Sequence, residues 1–557
     1  MEEFTLTIID VTGIQNYIFG SNRLRENIGA SYLVEQATGQ WIADALPTSH
    51  NLIIDRRMCK IDDNCPQLEN DKNQQAEVIY RGGGNVVILF RTHDAAIQTI
   101  RTLSTRIVEE APGLEIAAAH ITFKWQQQAL GGSQGIYNQM MMQKLRHYKQ
   151  QRQPATPLLG QSVMASCRST GLPAIGFDPD DTERPVSAEV WAKVQPITLK
   201  HADERFEDFL PDQARTAYEI SRDLDHLGRS VGESSYIAIV HADGNDIGGR
   251  FRQIILRYTQ PEQNRTCLNE LRHFSIALEK AGNAALYQTV ERMLHTFANP
   301  IADQMSDHMR RFLTSLDTSH TTGKPYLPFR PLVFGGDDVT FVCDGRLGLT
   351  LAQFYLTAFE QAANALPDGS GDSPPATASA GVAIVKTHYP FYRAYKLCSE
   401  LCTNAKRALY EADRKDTSAM DWHFAASGLS GNLKEIRQRE YQVQEGELYM
   451  RPVVLSGSGL DGWRSWKTYA GLVETFNWEE LWQGRHNKVI ALREALRKGR
   501  TTTERFRTTY NISRLPDLGS SDVNAETSGW AGNRCGYFDA IEAMDFYLPL
   551  AEQKEPT

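Results

Sequence analysis

An α+β architecture of two ferredoxin-like units in tandem, joined by a helical linker and followed by a helical domain, is predicted by three features of this 557-residue sequence. Each half opens with a short apolar strand ending in aspartate. Each then carries a strand, a glycine turn and a second strand. Each closes with helix, strand and helix, so the landmarks recur in one order, as in an internal duplication.

In the first unit the opening strand is Phe4 to Asp10, followed by Gly13. Val78 to Phe90 reads as a hairpin around Gly82, Gly83, Gly84 and Asn85, because glycines supply the positive φ of a tight turn. A helical pattern over 95–110, a strand over 116–123 and a helix over 136–151 complete it. This order is that of a palm, the core of many polymerases and nucleotide cyclases. Palm 1 is therefore assigned to residues 1–151.

Residues 152–232 begin rich in proline and glycine and become polar and helical, which suits a linker. The second unit, palm 2, spans 233–425. Its strand Tyr236 to Asp243 leads into Gly244-Asn245-Asp246 and Gly248-Gly249, and its hairpin turns at Gly335-Gly336-Asp337-Asp338. Helix over 349–365, strand over 378–385 and helix over 391–413 follow. Residues 250–330 read as an enlarged helical insertion, with a long amphipathic pattern over 269–297. The stretch 367–375 reads as a surface connection. From 426 to 557 the pattern is helical, with Trp463, Trp466, Trp478 and Trp482 as packing anchors.

Asp337 and Asp338 stand in adjacent positions between apolar strands, where side chains alternate faces, so both cannot be hidden. The palm order brings Asp243 beside them. Three carboxylates in so small a volume repel one another unless cations neutralise them, and Mg2+ or Mn2+ suits such oxygen donors. Two ions would activate a ribose hydroxyl and stabilise departing pyrophosphate. Gly244 to Gly248, entering a helix, offers backbone N–H groups to a triphosphate. Asn245 and Asp246 either support this site from behind or cap the helix. Palm 1 keeps Asp10 but has no acid in its turn, so Gly82, Gly83, Gly84 and Asn85 are expected to bind nucleotide or brace palm 2 without chemistry.

A formal net charge of -9 argues against non-specific coating of nucleic acid. The basic stretches 144–152 and 493–507 read as solvated helix faces or phosphate contacts. Eight cysteines without a C-x-x-C pair read as free thiols. No apolar run has membrane-span length and the start lacks a signal-peptide pattern, so a cytoplasmic protein without a membrane partner is expected. Thr322-Gly323-Lys324 lacks the upstream glycine of a P-loop.

The pairing of GGGN with GGDD resembles the large polymerase-like subunit of type III CRISPR effector complexes. So do the stretches 10–19, 23–31 and 378–385, together with Tyr389-Pro390, Arg393 and Ala405-Lys406-Arg407. The resemblance covers residues 4–150 and 233–425. It implies that palm 2 converts ATP into cyclic oligoadenylates that activate a downstream antiviral effector. It also implies that Asp243, Asp337 and Asp338 ligate metal, and that Lys406 stands where palm-type cyclases place a phosphate-contacting lysine. No HD nuclease is expected, since His93-Asp94 reads as a helix start, and the cysteines, without a C-x-x-C pair, do not match the family's four-cysteine zinc ribbon. A stand-alone relative is then as consistent as a member of an RNA-guided complex. A nucleic-acid or protein activator, and an oligomer, are compatible with either. Two alternatives stay open. One is a GGDEF-like cyclic dinucleotide cyclase, against which the unequal palms speak. The other is a non-catalytic nucleotide-sensing scaffold.

Overall fold

The computed structural model describes residues 2–55, 58–151, 163–228, 235–299, 304–364, 366, 375–425, 431–482 and 484–550. The connection expected at 367–375 therefore lies, apart from Pro375, outside the described residues, as do 152–162 and 229–232 of the linker.

Palm 1 contains β1 (Glu3–Thr12), α1 (Ile14–Phe19), α2 (Leu24–Thr38), β2 (Ala76–Gly82), β3 (Asn85–Phe90), α3 (His93–Glu110) and β4 (Glu115–Lys124). Its last helix is interrupted: α4 (Ile136–Gln139) runs into a π segment (Met140–Leu145) and then α5 (Arg146–Gln151). Met140 is fully buried. His93 opens α3 behind the Thr92 cap, whose side chain accepts from the Ala95 N–H. The linker contributes α6 (Pro196–Glu207).

Palm 2 contains β5 (Tyr236–Gly244), α7 (Ile247–Arg257), the 35-residue α8 (Asn264–Ala298), β6 (Phe329–Gly335), β7 (Asp338–Asp344), α9 (Gly348–Ala362), β8 (Ala378–Lys386) and α10 (Phe391–Glu411). The first sheet has the order β2-β3-β1-β4 and the second begins β6-β7-β5-β8, so the two palms share one topology. In both, the opening strand is central and antiparallel to its neighbours: Ile8 faces Val87 and Ala119, and Val240 faces Phe341 and Val382.

The second sheet goes on to six strands through β9 (Ala419–Ala425), parallel to β8, and β10 (Val453–Val454). β10 belongs to the region expected to be helical. That region does hold helices at Trp466–Trp478, His486–Arg497 and Arg500–Thr509. It also builds a small sheet from Gln442–Val443, Gly446–Glu447, Trp530–Ala531 and Arg534–Cys535. Two-residue strands are too short to leave an alternating pattern in sequence. Trp463 and Trp482 are buried, while Trp466 and Trp478 are partly buried against the same core.

Side-chain alternation along β1 sends Phe4, Leu6 and Ile8 to one face and Ile9 and Val11 to the other. The first face shares a continuous apolar layer with Val240, Ala242, Leu271 and Phe274; the second shares one with Ile237, Ile239 and Val342. The palms therefore pack as one body along two layers. The basic residues at 493–507 are largely spent internally. Arg497 donates to the Glu440 carbonyl, Arg500 to those of Trp530 and Gly532, and Arg507 to that of Thr527. All eight cysteines are free thiols. Among the described residues no helix is long and apolar enough to cross a membrane.

Candidate active site

The two hairpins look alike in sequence and differ in their turns. In palm 2, Gly335 pairs with Asp338, so the loop is Gly336-Asp337; in palm 1, Gly82 pairs with Asn85, so the loop is Gly83-Gly84. Both hairpins carry a register shift a few residues upstream, at Pro331/Val333 and at Val78/Tyr80. Gly83 and Gly84 both have positive φ, 57° and 78°, the type I′ pattern. Gly336 has φ 73° while Asp337 keeps a negative φ, the type II′ pattern. Type II′ makes no demand for glycine at its second central position, and this admits a carboxylate there.

β7 lies antiparallel beside β5 with Val339 opposite Ala242, which carries Asp338 alongside Asp243. A Cβ on Gly244 would lie 2.9 Å from the Asp337 Cβ, so the turn closes directly on the strand end. The three acids are thus brought to one end of β5. Asp243 and Asp338 each keep about 39–40% of their side chains exposed. Lys406, reaching in from α10, places Nζ 2.5 Å from Asp243 Oδ2 and 2.8 Å from the Gly244 carbonyl oxygen. His241 shares Asp243's face of β5 by alternation. Its Nδ1 lies 3.3 Å from Asp338 Oδ1 and 3.0 Å from Thr340 Oγ1. Burial alone would lower the His241 pKa, but the Asp338 carboxylate outweighs it and the net shift is upward. Asp337 is pushed up to about 7, first by burial and then by the charges of Asp243 and Asp338.

The Asn245 side chain is directed at β8: Nδ2 donates to Thr377 Oγ1 and Oδ1 accepts from Ser379 Oγ, both at 2.9 Å. It ties the strand end to the start of β8. Asp246 occupies the N-cap position of α7 at φ 54° and makes no capping hydrogen bond; its carboxylate instead fills the space a Cβ on Gly249 would need. Gly248 faces open space, as do Gly335 and Gly336. In palm 1, Asn85 stands opposite Asp10, and its Nδ2 donates to the Gly83 carbonyl at 3.3 Å. Gly82 lies against the Tyr80 hydroxyl, and Gly84 is covered by Ile14.

Between the two turns lies a cavity of about 260 Å³. Gly82, Gly83 and Gly84 border it on one side and Gly335, Gly336 and Asp338 on the other. Ile14, Val34 and Phe209 supply apolar wall, with Glu35, Arg205, Glu279 and Asn283 inside. Its cations are engaged. Arg81 bonds Glu35 at 2.9 Å and stands 3.5 Å from Glu279, and Arg205 lies over the Phe334 ring and donates to that residue's carbonyl.

Among the described residues no three His, Cys, Asp or Glu side chains are disposed, as they stand, to hold a metal ion. The donor chemistry nevertheless fits a hard divalent cation. Asp338 Oδ1 is buried with the His241 imidazole 3.3 Å away, Asp337 is short of compensating positive charge, and Asp243 holds an ammonium between its own oxygen and a backbone carbonyl.

Two side chains that contact the strand-end aspartates or their neighbours escaped the sequence reading. The period-2 alternation pointing His241 to the Asp243 face was available. Lys149 was legible only as part of a basic stretch, yet its Nζ lies 2.5 Å from Asp10 Oδ2, the counterpart of Lys406 on Asp243. The π segment preceding it disturbs the count along the helix that would have aligned the two lysines.

Fold and site together define a two-palm protein of the polymerase and cyclase kind, with an acidic turn in the second palm only. Residues 236–417 match the family model described as Cas10/Cmr2, second palm domain. The chain matches no curated protein. Among solved structures, Csm1 in T. onnurineus is 14% identical, with a TM-score of 0.49 over 97% of this chain and 69% of that one. A Csm1-Csm4 cassette in complex with cA4 is 12% identical, with a TM-score of 0.47 over 98% and 70%. The cassette in complex with pppApA is 13% identical, with a TM-score of 0.48 over 98% and 69%.

Proposed function

We propose that the chain is a metal-dependent nucleotidyltransferase that joins nucleoside triphosphates, ATP foremost, into cyclic or linear oligonucleotides serving as a signal in antiviral defence. The observation that carries this reading is the gathering of Asp243, Asp337 and Asp338 at one strand end, beside a glycine-walled cavity shared with palm 1. The match of residues 236–417 to the Cas10/Cmr2 second-palm model supports it.

Asp243, Asp337 and Asp338 would hold two Mg2+ or Mn2+ ions, whose chemistry when bound is to acidify a ribose hydroxyl and to neutralise charge on the leaving pyrophosphate. The chain's own residues do the rest. The first N–H groups of α7, open beside Gly248, and the ammonium of Lys406 bind phosphate oxygens. Palm 1, through Gly82, Gly83, Gly84 and Asn85, holds the second nucleotide across the cavity, so that a 3′ hydroxyl meets an α-phosphate. An O–P bond forms as the bond to pyrophosphate breaks, and holding both partners in line supplies much of the rate.

Incubation with each nucleoside triphosphate and Mg2+ or Mn2+, followed by mass spectrometry, tests the reading. Oligonucleotide products are expected, and Asp337→Ala with Asp338→Ala should reduce them at least about 100-fold. Products undiminished in that variant would overturn the mechanism. Nucleotide binding without turnover would favour the sensing scaffold.

A further inference from the structure

Lys406 reaches from α10 to the end of β5 that carries Asp243. Its ammonium nitrogen lies 2.5 Å from a carboxylate oxygen of Asp243 and 2.8 Å from the carbonyl oxygen of Gly244, a pair of hard oxygen donors at the mouth of the acidic turn. Lys406 and Asp243 are only 30% and 39% exposed, so this is not a freely solvated pair. A second, separate observation shows that the arrangement is built into the fold. Palm 1 repeats it at the same strand end, with Lys149 Nζ 2.5 Å from Asp10 Oδ2.

The two copies differ in what surrounds the pair. Opposite Asp10 stands the neutral Asn85, so one lysine balances one aspartate and nothing further is required. Beside Asp243 stand Asp337 and Asp338, with the His241 imidazole against Asp338 at 3.3 Å, so one lysine and one histidine face three carboxyl groups and the acidic side is the larger. A divalent ion can relieve that surplus, but it must compete with the ammonium for Asp243.

We propose that Lys406 is an internal cation that keeps Asp243 out of the metal site until a triphosphate arrives, and that its transfer from carboxylate to phosphate couples nucleotide binding to metal loading. The inference rests on the nucleotidyltransferase reading above and adds an order of events to it. Without nucleotide the site is a weak metal site. A triphosphate offers the ammonium an alternative anion, which frees Asp243 to join Asp337 and Asp338. Palm 1, where the pair is already balanced, takes no metal of its own. Lys406 is on this account a positioning residue for the metals as well as a phosphate contact.

The test is Mn2+ binding to the full chain without nucleotide, followed by electron paramagnetic resonance and calorimetry. Lys406→Met should tighten Mn2+ binding at least about fivefold, the scale of a partly exposed ion pair. Lys406→Arg, which keeps the charge, should stay near the parent, and Lys149→Met should leave Mn2+ affinity unchanged. The gain in Lys406→Met should vanish when Asp337→Asn and Asp338→Asn are added. Binding no tighter in Lys406→Met than in the parent, with both dependent on Asp337 and Asp338, would overturn the lock while leaving the metal site standing. An equal gain in Lys149→Met would reduce the effect to general charge and also overturn it. Absence of Mn2+ binding in parent and variant alike would remove both the lock and the metal-dependent reading beneath it.

Discussion

Lys406 pairs with Asp243 and His241 stands against Asp338, which leaves the charge of Asp337 to be set by burial and two neighbouring carboxylates. Its pKa of about 7 in the folded chain lies above the ordinary 3.8, so the folded state binds this proton more tightly than the unfolded chain does. By linkage, stability is then highest below about pH 4, declines as pH rises, and has lost the whole contribution above about pH 7. Asp337→Asn removes the titration and mimics the protonated form. In metal-free buffer the variant should match the parent near pH 4. It should gain on it progressively to about pH 7, reaching on the order of 1–3 kcal/mol. Urea denaturation across that range measures the difference, and a gap independent of pH would contradict the assignment. The same proton competes with any bound cation, so a stable apo protein and a loaded site call for opposite protonation of this one carboxyl.

At the scale of elements, the turns explain why only one palm is acidic. In palm 1, Gly84 sits at φ 78° under the Ile14 side chain, a conformation that costs an L-residue about 1–2 kcal/mol before any collision is counted. Gly84→Asp should therefore destabilise the protein by about 2 kcal/mol or more, read from its denaturation midpoint. Restoring the GGDD letters in palm 1 would then fail to restore the palm 2 geometry; a variant as stable as the parent would show the turn free to switch type. Sequence carried a good part of this scale. The central strands of 9–10 residues, the paired glycine turns and the helices behind them were readable from periodicity and duplication. Asp243, Asp337 and Asp338 could be singled out because adjacent acids between apolar strands are costly to hide. The type I′ and II′ difference was not readable, since it lives in φ angles that both glycine-rich strings permit. Nor were the small C-terminal sheet and the Asp10–Lys149 pair: the first is made of two-residue strands, and the second follows a π segment that breaks helical counting. Asn245, expected at the nucleotide or behind the metal ligands, is drawn away by Thr377 and Ser379, which are distant in sequence.

In the whole molecule the helix α8, inserted in palm 2, reaches across to β2 of palm 1. Arg265 and Arg272 both pair with the buried Glu77, Arg265 also binds Glu69, and Ser275 exchanges hydrogen bonds with the Arg81 backbone. On the other side Phe19 of α1 stacks on Tyr395 and Phe391 of α10. With the two shared apolar layers, these contacts fix the spacing of the glycine turns, and hence of the cavity between them. Burial would raise the Glu77 pKa, but Arg265 and Arg272 together overcome it and the net shift is downward. Its contribution is therefore present above the ordinary 4.5 and is lost as pH falls through the lowered value. Glu77→Gln removes the buried carboxylate that faces Arg272, while Arg265 keeps Glu69, and should cost about 3 kcal/mol at pH 7, with the deficit shrinking on acidification. If the palms are one cooperative body, amide exchange should quicken in β1 of palm 1 and in β5 of palm 2 together, because neither sheet keeps its packing alone. Loss of protection confined to β1 would mean that the halves open independently. The cavity would then be an interface between two separately stable palms rather than a site whose shape both sheets determine.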